Sequence, residues 1–389
     1  MHCCQPQAPN VYLDHAAATP VCPEAMDAVC FAMRRCTANP SAAYSAAGQS
    51  RALLRKARQT MADMLEAAPQ ELFFTCGGTE SNNWALRHAA GRHVVLSATE
   101  HPSVLLSAEN QGCAVTLVSP DSRGIITPQA VEAALRPDTA LVSVHLANNE
   151  TGVLQPIAQI GELTRRRGVL FHCDAVQGFG AMPIRPHQWG VDLLSASSHK
   201  IYGPQGAGFL FIRQGMPNLP LLSGGAQEMG RRAGTENLAA IYGFSAAAQL
   251  AQQDMAARWD LGQNLRAVFL SALAQAAPDV TQLCADSPRV SGITALLLPA
   301  MSAEEMIARL DLLGIAVSGG AACASRSGKP SHVLTAMGLS PKDAERVIRI
   351  STGRHTTAEE MVRAANAIGA LLSSHEFSMP PTSGIEPLL

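Results

Sequence analysis

No apolar run in this 389-residue chain approaches the roughly 18 residues that a membrane-spanning helix needs, which excludes a helical span. A basic surplus is missing too, since 29 Lys and Arg stand against 31 Asp and Glu. That balance offers no electrostatic footprint for nucleic acid and no acidic tail with a solvating role. The start, Met1-His2-Cys3-Cys4-Gln5-Pro6, carries neither a charged leader nor an apolar stretch and does not read as a signal peptide. The ten cysteines include no Cys-x-x-Cys pair, and their scatter from 3 to 323 suits neither a zinc site nor a disulfide framework. Most of them read as free thiols in a reducing, cytoplasmic setting. No metal site and no internal repeat is expected.

What is present is apolar: 47% of residues are hydrophobic and only 15% charged, the balance of an α/β enzyme with a fully buried sheet. Four strand-like runs each end in polar residues. His93-Val94-Val95-Leu96 leads to Glu100-His101, and Leu141-Val142-Ser143-Val144-His145-Leu146 leads to Asn148-Asn149-Glu150. Gly168 to Cys173 leads to Asp174-Ala175-Val176-Gln177, and Val191-Asp192-Leu193-Leu194 leads to Ser197-Ser198-His199-Lys200. Helical segments such as Pro128 to Leu135 and Ile157 to Arg167 lie between them. The alternation predicts a mostly parallel sheet, whose ligands bind at the carboxyl ends of the strands, where all four polar clusters fall. A large domain is expected over 12–255. A smaller α+β domain is expected over 256–375 with 1–11, entered by a long helix from Met255 to Ala276. The Pro-, Ser- and Gly-rich tail, 376–389, reads as disordered.

The clusters carry chemistry. A lysine closing a buried strand is costly unless used, and Lys200 can form an imine with an aldehyde cofactor. Asp174, at the end of a neighbouring strand, can keep a pyridinium nitrogen protonated, which completes the minimal kit for pyridoxal phosphate. Leu72 to Thr75 is a strand, and Cys76-Gly77-Gly78-Thr79 then opens a helix whose N–H groups suit an anion. A capped turn needs no ligand, but with Lys200 and Asp174 in the chain a phosphate fits. His101 can stack on a flat ring and handle protons near neutral pH. Asn149 and Gln177 can donate to a phenolic oxygen or satisfy nearby backbone. The loop from Val317 to Ser331 consists of small residues around Cys323, with Arg326 and Lys329 near enough in sequence to stabilise a thiolate. Arg349 and Arg354 lie on a strand-and-turn suited to capturing a carboxylate or to a plain ion pair. The loop Gly224 to Asn237 is too rich in glycine for plain surface and is expected at a phosphate or a subunit interface.

Taken in order, these motifs resemble the group I cysteine desulfurases of the class V, fold-type I pyridoxal-phosphate enzymes, from Val11 to about Leu372. The resemblance rests on Tyr12-Leu13-Asp14-His15, Asn39-Pro40-Ser41, Gly78-Thr79-Glu80-Ser81, Glu100-His101 and Asn148-Asn149-Glu150-Thr151-Gly152. It continues through Asp174-Ala175-Val176-Gln177, Ser197-Ser198-His199-Lys200, Arg232-Ala233-Gly234-Thr235-Glu236-Asn237, Ala322-Cys323 and Gly353-Arg354. It implies Lys200 as the Schiff-base lysine, Asp174 as partner of the ring nitrogen, Gln177 and Asn149 at the phenolic oxygen, and His101 stacked on the ring. Gly78, Thr79, Ser197 and His199 would hold the phosphate, with Thr235 reaching it from the neighbouring subunit of a homodimer. Cys323 would take sulfur from L-cysteine as a persulfide and pass it to a protein acceptor, as in iron–sulfur cluster assembly. Arg354, with Asn149, would bind the substrate, and Lys200, His101 and Cys323 would be the catalytic set. Gly319, Ala321 and Ala324 replace hydroxyl residues usual in the cysteine loop, and Ser198 replaces a common Gly. Tyr44, Ala-Ala-Cys and Gly-Lys-Pro-Ser are also similar to selenocysteine lyases, which makes release of selenium from selenocysteine the alternative activity.

Overall fold

The structure is a computed structural model that describes residues 11–320 and 330–376. Its centre is a seven-stranded sheet. In chain order the strands are β1 (Leu72–Thr75), β2 (His93–Ser97), β3 (Ala114–Val118), β4 (Thr139–Ser143), β5 (Leu170–Asp174), β6 (Leu193–Ser197) and β7 (Gly208–Ile212). Across the sheet they run β1-β7-β6-β5-β4-β2-β3. All neighbours are parallel except β7, which is antiparallel to both β1 and β6. The expected mostly parallel sheet is therefore present, and the carboxyl ends of β1, β2, β4, β5 and β6 share one edge.

Side-chain alternation explains why these runs are strands buried on both faces. Leu193, Leu210 and Ile212 join one apolar cluster with Trp84 and Leu96. Leu194, Phe209 and Phe211 join the opposite cluster with Phe171, Phe179 and Phe244. Backbones approach closely where β7 passes the turn after β1: a Cβ at Gly208 would lie 2.7 Å from both the Ala196 carbonyl oxygen and Gly77 Cα. Edge strand β3 is mostly exposed and contributes only Val118 to the buried core.

Helix Leu238–Gln253 packs on the large sheet, the chain bends at Asp254, and helix Met255–Ala276 leads into the second unit. That unit is a four-stranded antiparallel sheet, ordered Ser318–Gly319, Val347–Ser351, Ile293–Leu297 and Thr281–Gln282. Helices Met255–Ala276, Ala303–Leu312 and Ala358–Glu376 share a core with it. The chain start belongs here too. Val11–Tyr12 pairs with Ile315–Ala316, and Val11 and Leu13 are buried in the small-unit core. Leu13, just past the expected boundary at residue 12, shares that core with Val11. The tail beyond Glu376 lies outside the described residues.

Candidate active site

The turns after the strands build a cleft of about 400 Å3, within the usual range for small-molecule sites. Its large-unit wall holds Gly78, Thr79, His101, Asn149, Asp174, Gln177, Ser197, His199 and Lys200 together. Residues read from five separate stretches of sequence thus meet in one cleft.

Each group is fixed locally. Asp174 is the last residue of β5 and is buried; Val176 N–H donates to its Oδ1 (2.9 Å) and Asn82 Nδ2 to its Oδ2 (2.7 Å). Lys200 ends the short 3-10 turn Ser198–Lys200 that follows β6, and its Nζ donates to the carbonyls of Ala16 and Ala17, the latter at 2.8 Å. His101 caps helix Pro102–Asn110: its Nδ1 accepts the Ser103 N–H (3.1 Å), which leaves the proton of the neutral ring on Nε2. Desolvation lowers the His101 pKa; Asp174 opposes this, while Lys200 and His332 reinforce it. His199, pushed down to about 4 by burial and by Lys200, is neutral at pH 7.

The turn Cys76–Thr79 and helix Gly78–Arg87 form an anion cradle. A Cβ at Gly78 would meet Val176 Cγ2 at 2.7 Å, so only glycine fits there. Ser197, 1% exposed, turns a buried hydroxyl without a partner toward the same place. Helix N–H groups, the Thr79 and Ser197 hydroxyls and a neutral imidazole are donors suited to a phosphate. An oriented carboxylate and a lysine amine lie in the same cleft. This set fits pyridoxal phosphate, and the orphaned Ser197 hydroxyl is what a phosphate oxygen would satisfy.

The loop Gly224 to Asn237 is tied to the cradle. Arg232 Nε donates to Glu80 Oε1 at 2.8 Å, and Glu80 Oε2 accepts the Cys76 N–H at 3.0 Å. Thr235, however, is exposed and does not line the cleft. Cys76 lines the cradle, but burial and Glu80 push its thiol up to about 11. Cys323, with Arg326 and Lys329, lies outside the described residues.

The small unit supplies the facing wall. Arg349, 1% exposed, donates to Asp14 Oδ1 (2.6 Å) and to the Asn149 carbonyl (2.8 Å), which sews chain start, large unit and small unit together. Arg354 lines an adjoining pocket of about 110 Å3 that shares Ala16, Gln177 and Lys200 with the cleft. Three further residues, Asn82, Glu150 and His332, shape the site without a role assigned from sequence, and Arg349 takes the ion-pair role, with Asp14. Asn82 orients Asp174, and Arg349 braces the Asn149 backbone. The buried Glu150 carboxyl, its pKa raised by burial, accepts Ser331 Oγ–H at 2.7 Å. His332 Nε2 lies 2.8 Å from the Glu100 carbonyl, which can only accept, so Nε2 donates there. Asn82 sits three residues after Thr79, one helical turn on, and that spacing was the only signal of it in the sequence.

Residues 11–363 match the family model described as Aminotransferase class-V. A cysteine desulfurase IscS of Methanosarcina thermophila is 37% identical over 381 residues, spanning 96% of this chain and 94% of that protein. A cysteine desulfurase of Klebsiella pneumoniae is 39% identical over 362 residues, 90% of each. Among solved structures, a NifS-like protein from Rickettsia africae superposes with a TM-score of 0.86 at 31% identity, over 94% of this chain and 99% of that one. SspA in complex with cysteine gives a TM-score of 0.76 at 33% identity, over 90% and 100%.

Proposed function

The chain belongs to the class-V aminotransferase family, and from that premise we propose how its cleft works. It is a pyridoxal-phosphate-dependent cysteine desulfurase. The observation that carries the reading of the site is the meeting of Lys200, Asp174 and the orphaned Ser197 hydroxyl in one cleft. When bound, pyridoxal phosphate supplies an electron sink that makes the α-proton of an attached amino acid acidic. Lys200 is the amine that would hold its aldehyde carbon. Gly78, Thr79, Ser197 and His199 would hold its phosphate, and Asn149 and Gln177 its phenolic oxygen.

Asp174, locked by Asn82 and the Val176 N–H, would be the carboxylate that keeps a bound ring's nitrogen protonated. Lys200 Nζ moves a proton at the substrate α-carbon, and His101, capped so that Nε2 carries its proton, assists. Arg354 and Asn149 orient the substrate through its carboxylate. The Cys323 thiolate attacks the substrate sulfur: an S–S bond forms, the carbon–sulfur bond breaks, and the carbon takes a proton to give L-alanine. The persulfide then passes its outer sulfur to a protein acceptor.

The position of Thr235, exposed and outside its own cleft, supports a homodimer in which it serves the partner's phosphate site. The name IscS carried by relatives supports iron–sulfur assembly as the pathway served. Among the described residues no helix is long and apolar enough to cross a membrane. The test is alanine release from L-cysteine and L-selenocysteine by wild type and Cys323→Ser. Cys323→Ser should keep the cofactor absorbance, lose cysteine turnover and retain most selenocysteine turnover. Unchanged cysteine turnover in Cys323→Ser would refute the persulfide route.

A further inference from the structure

Arg354 is held from behind. Its Nη2 pairs with Asp254 Oδ2 at 2.7 Å, and its guanidinium lies 5.3 Å from the centre of the Tyr202 ring. The Arg354 backbone N–H also donates to the Tyr202 hydroxyl at 2.6 Å. Arg354 and Arg258 both line the smaller pocket beside Lys200, whereas Asp254, which pairs with each of them, does not. Arg354 Nε is buried with no partner, an N–H awaiting an acceptor. Asp254 is itself anchored: its Oδ1 accepts from Arg258 Nε at 2.8 Å, and Arg258 Nη2 reaches the carbonyls of Gly180 and Ala251. Asp254 is also the residue at which helix Leu238–Gln253 ends and helix Met255–Ala276 begins.

We propose that Asp254 is the positioning residue for substrate-carboxylate recognition, using the Arg258–Asp254–Arg354 relay to fix the guanidinium so that its remaining N–H groups face the incoming carboxylate. The physical reason is preorganisation. An arginine loses rotamer freedom when it clamps a ligand, and a partner that has already ordered it removes that cost from binding. With Nη2 held by Asp254 and the guanidinium set against the Tyr202 ring, the partnerless Nε is left for a second acceptor. The inference rests on Arg354 being the carboxylate-binding residue.

The experiment uses the full-length holoenzyme. Steady-state alanine formation from L-cysteine gives KM and kcat. Titration with L-alanine and with L-alaninamide, read by the shift in cofactor absorbance, gives affinity with and without a carboxylate. Asp254→Asn should raise KM about tenfold with kcat within twofold and weaken L-alanine similarly, leaving L-alaninamide within twofold. Asp254→Glu should recover most of the loss. Arg258→Met, which keeps Asp254 but loosens it, should raise KM about threefold. Wild-type KM and L-alanine affinity in Asp254→Asn would overturn the proposal, as would equal weakening of both titrants. Arg354→Gln separates the two ideas. If it leaves the ratio of L-alanine to L-alaninamide affinity unchanged, the reading of Arg354 itself fails. If it collapses that ratio while Asp254→Asn does not move it, only the relay fails.

Discussion

The two walls of the cleft are built in opposite ways. The large-unit wall gathers its polar groups at the ends of adjacent strands; neighbours two residues away hold His101 and one oxygen of Asp174, while Asn82 and the Ala16 and Ala17 carbonyls reach Asp174 and Lys200 from farther along the chain. Val176 N–H bonds Asp174, and Ser103 N–H bonds His101. The small-unit wall is held by ion pairs and a hydrogen bond to partners a hundred or more residues distant: Arg349 by Asp14 and Asn149, Arg354 by Asp254. A wall fixed by strand ends keeps its geometry as long as the sheet stands, whereas a wall fixed by long-range ion pairs depends on how the two units meet. The first suits a resident cofactor. The second suits a substrate that enters and leaves and whose carboxylate must be read each time.

The largest expected effect tests the strand-end wall. Lys200→Ala should lower alanine formation by at least about a thousandfold, the scale of losing a positioned proton-transfer group. Turnover assays check this, and residual activity near a tenth of wild type would show that another amine does the work.

The next tests the long-range wall. Arg349→Met removes one partner of a buried pair and should lower the free energy of unfolding by about 3 kcal/mol. A denaturant titration reads this, and an unchanged midpoint would mean that Asp14 and Asn149 hold the units together without it.

A third concerns the sheet beneath the cofactor wall. His172 is fully buried between Ser143 Oγ (2.8 Å) and Ser195 Oγ (3.0 Å), and burial pushes its pKa from 6.5 to about 4. Below pH 6.5 the unfolded chain takes up a proton that the folded chain refuses. The stabilisation is therefore full above pH 6.5 and lost as pH falls toward 4, by up to about 3 kcal/mol at 1.36 kcal/mol per pKa unit. Unfolding midpoints across that window should slope less in His172→Gln, and an identical slope would assign the acid sensitivity to other groups.

The smallest is Asn82→Ala, which removes one of two donors to Asp174 while leaving the carboxylate in place. Cofactor affinity should weaken about tenfold, the scale of one hydrogen bond to a charged group. A change below twofold would show that Val176 N–H suffices.

The same contrast explains what was legible in the sequence. Strands β1, β2, β4, β5 and β6 show as apolar runs because both faces are buried, and the groups following them could be read as one site. Strand β3 is not among them although Ala114-Val115-Thr116-Leu117-Val118 is as apolar as the others, and Val115 and Leu117 on it are exposed at the sheet edge. The polar roles of Glu150, His332 and Asp254 were invisible for a different reason. Each depends on a partner brought near by the meeting of two units or two helices, which no periodicity records. Arg354 could be singled out as a cation on a turn, but nothing near it in sequence announces Asp254 a hundred residues earlier.

On the proposed mechanism, Lys200 is the residue that holds the cofactor in this cleft. The sequence contains only four lysines, Lys56, Lys200, Lys329 and Lys342, so covalent mapping is decisive. Borohydride reduction of the purified yellow protein, followed by proteolysis and mass spectrometry, should place the pyridoxyl mass on Lys200 alone and bleach the visible band. Pyridoxyl mass on another lysine, or a colourless protein that takes up no added pyridoxal phosphate, would contradict the account.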